Sequence, residues 1–81
     1  MKINVTFFAR ARDLAGVTAL ELELPDGSTV ADLRTALAEK SAALRPLLPS
    51  LFIAVGTNYA ENGTQLAPGA EIACFPPVSG G

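Results

Sequence analysis

Ile3, Val5 and Phe7 alternate with Asn4 and Thr6 at the start of the chain, the period of two expected of a strand covered on one side. Phe8 then falls on the opposite face, and Ala9–Gly16 reads as a short helical or looping connection closed by glycine. Alternation resumes with Leu20, Leu22 and Leu24 against Glu21 and Glu23, a second strand. Pro25-Asp26-Gly27-Ser28 has turn chemistry. The period then changes: Val30, Leu33 and Leu37 recur at three and four, which predicts a helix over about 29–40 with Thr29 and Asp32 at capping-box spacing. Leu44 extends the same face, and Pro46 and Pro49 end any continuation.

The apolar run Leu51–Val55 predicts a strand buried on both sides, broken by Gly56-Thr57-Asn58-Tyr59. Turns at Asn62-Gly63 and Pro68-Gly69 lead to a last strand over 70–75, with Ile72 and Cys74 inward and Phe75 outward. Two strands, a helix and further strands make an α+β pattern in which the helix covers one sheet face.

Composition narrows the chemistry. The 81 residues make one domain with 49% hydrophobic and 17% charged residues, a balance that favours a folded core over disorder. Six scattered basic residues and a net charge of −2 give no footprint for nucleic acid. No histidine is present and cysteine occurs once, which removes the commonest general base and any Cys-x-x-Cys metal or redox pair. No signal-peptide pattern follows Met1-Lys2-Ile3-Asn4 and no apolar run reaches membrane-spanning length, so the expected setting is cytoplasmic.

The remaining candidate chemistry is the ending Pro76-Pro77-Val78-Ser79-Gly80-Gly81. Two prolines favour an extended path away from the body, and glycines let another surface approach the backbone closely. Glycine at both final positions arises by chance in about 0.5% of chains, so a random end is a poor account, although one dipeptide is also a weak motif.

Three stretches together resemble a known family: Phe7-Phe8-Ala9-Arg10-Ala11-Arg12-Asp13-Leu14-Ala15-Gly16, Thr29-Val30-Ala31-Asp32-Leu33 and Phe75-Pro76-Pro77-Val78-Ser79-Gly80-Gly81. They are similar to the small subunits of molybdopterin synthase, the MoaD family of ubiquitin-like sulfur carriers. The resemblance implies a β-grasp fold, a mixed sheet over one main helix, with residues 1–75 as the domain and 76–81 as an extended tail. It further implies that an ATP-dependent, E1-like activating enzyme adenylates the carboxylate of Gly81, with Gly80 giving clearance, and that sulfur displaces AMP to leave a thiocarboxylate. Two such arms in a heterotetramer would supply the dithiolene sulfurs of molybdopterin to a cyclic pyranopterin phosphate. No bound cofactor or metal is expected, ATP being used by the activating enzyme, and the catalytic residues are expected on the large subunit.

By the same resemblance Phe8, Tyr59, Phe75 and Arg12 match partner-binding positions. Val55-Gly56-Thr57-Asn58-Tyr59 departs from the family's usual Val-Asn-Gln loop, and Cys74 replaces the first residue of a common Phe-Phe pair. Cys74 itself reads as a small buried hydrophobe rather than a sulfur relay. A carrier for thiamine or another product, a ubiquitin-like modifier conjugated through Gly81 and a non-covalent β-grasp module are the alternatives.

Overall fold

Residues 1–77 are described by the structure, a computed structural model; Val78, Ser79, Gly80 and Gly81 lie outside the described residues. Strand β1 spans Lys2–Phe7, and its alternation is realised: Ile3, Val5 and Phe7 are buried. Ala9 has φ 53°, a left-handed conformation that turns the chain out of the strand into helix α1, Ala9–Ala15. Gly16 ends that helix at φ 77°, where glycine carries no steric penalty, and its N–H donates to the Arg12 carbonyl at 2.9 Å. Strand β2 follows at Ala19–Glu23, with Leu22 and Leu24 buried.

Helix α2 spans Val30–Lys40. Its start has both halves of the capping box: the Asp32 amide donates to the Thr29 hydroxyl at 3.4 Å, and the Thr29 amide donates to the Asp32 carboxylate at 2.9 Å. Val30, Leu33 and Leu37 form the buried stripe and join Ile3, Val5, Phe7, Ile53, Ile72 and Cys74 in one core. Each large apolar side chain fully buried there contributes about 1.5–3 kcal/mol. Beyond the helix, 3₁₀ turns at Ala42–Leu44 and Leu48–Ser50 add Leu44 and Leu48 to the same core.

Strands β3 (Phe52–Val55), β4 (Asn58–Tyr59) and β5 (Glu71–Phe75) complete a five-stranded sheet in the order β2-β1-β5-β3-β4. Among the described strands only β1 and β5 pair in parallel, so the sheet is mixed, with β5 at its centre and β1 beside it. This is a β-grasp arrangement.

Two details differ from the sequence reading. The segment 56–59 does not simply break β3: Gly56 turns at φ 63° and β4 pairs back, Tyr59 opposite Ala54. Strand β3 is also not buried on both sides, because Phe52 is 47% exposed. The helix and the core occupy one sheet face, and no described element covers the other at Phe52.

Candidate functional site

The strand registers lay the uncovered face out in rows. Phe52 stands opposite Phe75; the next row runs Ala19, Thr6, Ala73, Ala54, Tyr59; the row after that contains Glu21, Asn4 and Glu71, followed by Lys2 with Glu23. One end of the face is therefore aromatic, its middle consists of small side chains, and its other end is ionic.

At the aromatic end three rings form a closed triangle. Ring centroids are 5.8 Å apart for Phe52 and Tyr59, in an edge-on arrangement, 6.1 Å for Phe52 and Phe75, and 5.7 Å for Tyr59 and Phe75. These separations lie within the favourable range for aromatic pairs. Yet the rings remain wet: Tyr59 is 73% exposed and Phe75 only half-buried. Phe8, 49% exposed, lines a neighbouring depression of about 340 Å³ with Thr6, Ala73, Glu71 and the Gly56-Thr57 turn. Four exposed or half-exposed aromatics round a floor of alanine and threonine make an apolar surface of the kind that marks interfaces.

The same face holds the root of the tail. The Phe8 amide donates to the Cys74 carbonyl at 3.0 Å, one residue before Phe75. Pro76 and Pro77 follow and have no N–H to continue the ladder, so strand pairing ends for a chemical reason at the aromatic cluster. Of the expected site residues, Tyr59 and Phe75 are in direct ring contact and Phe8 lies on the same face. Arg12 is in the last turn of α1, exposed, and its side chain makes no hydrogen bond or ion pair among the described residues. Gly80 and Gly81 lie outside the described residues.

Phe52 was missed by sequence reasoning. The available signal was the alternation Leu51, Ile53, Val55 against Phe52 and Ala54, hidden because all five residues are apolar.

At the ionic end, the N-terminal ammonium lies 3.4 Å from both Glu23 and Asp26, and Lys2 lies 3.9 Å from Glu21. Exposed carboxylates make these contacts worth little, and they read as solvated edge chemistry.

Cys74 points into the core. Burial pushes its thiol up to about 12 from an ordinary 9.0, against the opposing charge of Arg34. A thiol that stays protonated at neutral pH is a poor nucleophile and a poor sulfur relay. Among the described residues no cluster of His, Cys, Asp or Glu could hold a metal ion, and no helix is long and apolar enough to cross a membrane.

Comparison with known proteins connects this chain to a family. The molybdopterin synthase sulfur carrier subunit of Haemophilus influenzae is 40% identical over 81 residues, covering 98% of this chain and 99% of the relative. That of Arabidopsis thaliana is 35% identical over 81 residues, covering all of this chain and 84% of the relative. Among solved structures, small archaeal modifier protein 1 of Haloferax volcanii superposes with a TM-score of 0.86 at 26% identity, covering 95% of this chain and 98% of the other. The family model for the ThiS family matches residues 5–81, and on that match and the full-length relatives this chain belongs to the ThiS family.

Proposed function

We propose that this chain is the sulfur carrier subunit of a molybdopterin synthase, acting in the cytoplasm through the carboxylate of Gly81. A terminal carboxylate, with an ordinary pKa near 3.3–3.7, is ionised at neutral pH and is a poor electrophile. An ATP-dependent E1-like enzyme therefore adenylates it first, releasing pyrophosphate. A sulfur nucleophile from a donor then attacks the acyl carbon and AMP leaves, so that one carboxylate oxygen departs with the phosphate and sulfur takes its place. The thiocarboxylate sulfur next attacks a carbon of the cyclic pyranopterin phosphate, held by the large subunit, and displaces an oxygen leaving group; water then hydrolyses the acyl–sulfur bond, leaving sulfur on the precursor and regenerating the Gly81 carboxylate. Nothing in the carrier's described residues acts as acid, base or metal ligand. The partner supplies orientation, which can be worth ~7–11 kcal/mol of barrier.

The observation that supports this reading best is the aromatic face of Phe8, Phe52, Tyr59 and Phe75 at the root of the tail. A carrier whose reacting atom sits at the end of a short arm needs its recognition surface close to where the arm begins, and Phe75 is separated from Pro77 by one residue. The names of the full-length relatives agree with the reading.

The test is intact-mass analysis after incubation with an activating enzyme, ATP and a sulfur donor. One oxygen of the wild-type chain is replaced by sulfur, and a chain lacking Gly81 is not modified although its melting temperature is unchanged. No exchange on the wild-type chain, under conditions where the same enzyme loads its own carrier, contradicts the proposal. The likeness to an archaeal modifier protein favours one second reading, conjugation of Gly81 to lysine; isopeptide-linked products in place of a thiocarboxylate would select it.

A further inference from the structure

Arg34 lies on helix α2, on the opposite side of the sheet from the aromatic face, and its guanidinium is half-buried. Its three nitrogens reach three acceptors on two pieces of chain, the 3₁₀ turn with its cap at Leu51 and the segment at Asn62. Nη1 donates to the Leu48 carbonyl at 2.6 Å, Nη2 to the Leu51 carbonyl at 2.8 Å and Nε to the Asn62 side-chain oxygen at 2.8 Å. Bonds this short from a charged donor are among the stronger ones a protein makes, and only a planar fork spans three acceptors at once.

The positions of those acceptors matter. Leu51 immediately precedes Phe52, and Asn62 follows Tyr59 by three residues. Phe52 opens strand β3, and Tyr59 belongs to a strand of two residues at the sheet edge, paired on one side only. The ladder holds these two rings only at its margins: Phe52, at the start of β3, is in register with Phe75 alone, and Tyr59 with Ala54 alone. Helix α2 makes up the difference: besides Arg34, the Ala31 amide donates to the Asn62 carbonyl and the Val30 amide to the Thr64 carbonyl, each at 3.0 Å. Arg34 also lines the groove of about 560 Å³ that runs past Phe52, Ile53, Tyr59, Ala60 and Glu61, so the clamp and the two rings share one wall.

We infer that Arg34 is a positioning residue for partner binding: by tying Leu51 and Asn62 to helix α2 it fixes Phe52 and Tyr59 in the docking arrangement before the partner arrives. Rings already locked lose less freedom on binding, which is the usual source of affinity from preorganisation. The inference rests on the docking reading given above, and extends it to a residue outside the aromatic cluster.

The experiment is a double-mutant cycle on the full chain, reading the Kd for the molybdopterin synthase large subunit at a temperature well below every variant's melting point. Arg34→Met weakens binding about tenfold in the wild-type background, within the range of coupling between sites that share structure. In the Phe52→Ala/Tyr59→Ala background the same change has no further effect on Kd, although it lowers the melting temperature in both. Asn62→Ala is the milder variant, removing only the Nε acceptor at an exposed side chain; it gives a smaller loss that likewise vanishes with the rings. If Arg34→Met and Asn62→Ala lower melting and leave Kd unchanged, Arg34 is merely structural and the inference is overturned. Equal losses of affinity in both backgrounds overturn it too, because the rings are then not the route. If Phe52→Ala/Tyr59→Ala itself leaves Kd unchanged, the docking reading falls and the inference falls with it; a ring effect without coupling removes the inference alone.

Discussion

Phe7 and Phe75 lie on neighbouring central strands, and both are aromatic, yet they belong to different physical regimes. Phe7 faces the helix, 2% exposed, and touches the core that α2 completes. Phe75 faces away, half-buried, and meets only other outward rings among the aromatics, Phe52 and Tyr59. Removing the inner ring from water drives folding; the outer rings keep much of their surface in water and so return little of that free energy. Folding accounts for the inner face. On the proposed docking role the outer face is accounted for by what it meets, and its rings stand where the tail begins.

Paired truncations of the two faces carry the largest expected effect. Phe7→Ala empties a fully enclosed site and costs about 3–5 kcal/mol, a large share of the ~5–15 kcal/mol that holds a domain together. Phe52→Ala removes half-exposed ring contacts and costs about 1 kcal/mol. Urea unfolding of both variants checks this, and equal losses would mean that the outer cluster is a second core rather than a surface.

Cys74 reports on the inner face by its pH dependence. Below pH 9.0 the thiol is protonated in folded and unfolded chains alike, and its contribution to stability is constant. Between 9.0 and about 12 the unfolded chain releases the proton while the folded chain keeps it, so stability falls as pH rises. The slope from this group approaches ~1.4 kcal/mol per pH unit. Urea unfolding at pH 8 and pH 10 reveals it as a difference between wild type and Cys74→Ala, the variant lacking that slope and still accepting sulfur at its terminus. A slope shared by both chains would place the titration elsewhere, and loss of sulfur loading in the folded variant would return Cys74 to the chemistry.

Much of the fold was legible because its main elements carry strict periods. Ile3, Val5 and Phe7 announce β1, and Val30, Leu33 and Leu37 with the Thr29 and Asp32 cap announce α2; in both, local pattern and tertiary burial agree. Strand β4 was not legible, since two residues have no period and exist as a strand only through pairing with Ala54 and Val55. Phe52 was misjudged because a continuous apolar run reads as doubly buried, and only the assembled sheet reveals that no described element lies over it. Of the candidate site, alternation put Phe8 and Phe75 on the outer face and the resemblance added Tyr59, and the three fall on one face. Arg34 gave no signal at all: its acceptors lie 14, 17 and 28 residues along the chain, a proximity that only folding creates.

The most direct test of a docking face that serves a separate reacting tail is single-turnover sulfur transfer. Thiocarboxylated wild-type chain and Phe52→Ala/Tyr59→Ala would be mixed with increasing large subunit carrying the pyranopterin precursor. The half-saturating concentration should rise about tenfold or more, as for loss of interface anchors, while the maximal rate stays unchanged because Gly81 and its arm are intact. An unchanged half-saturating concentration, with or without a lower maximal rate, would contradict the account.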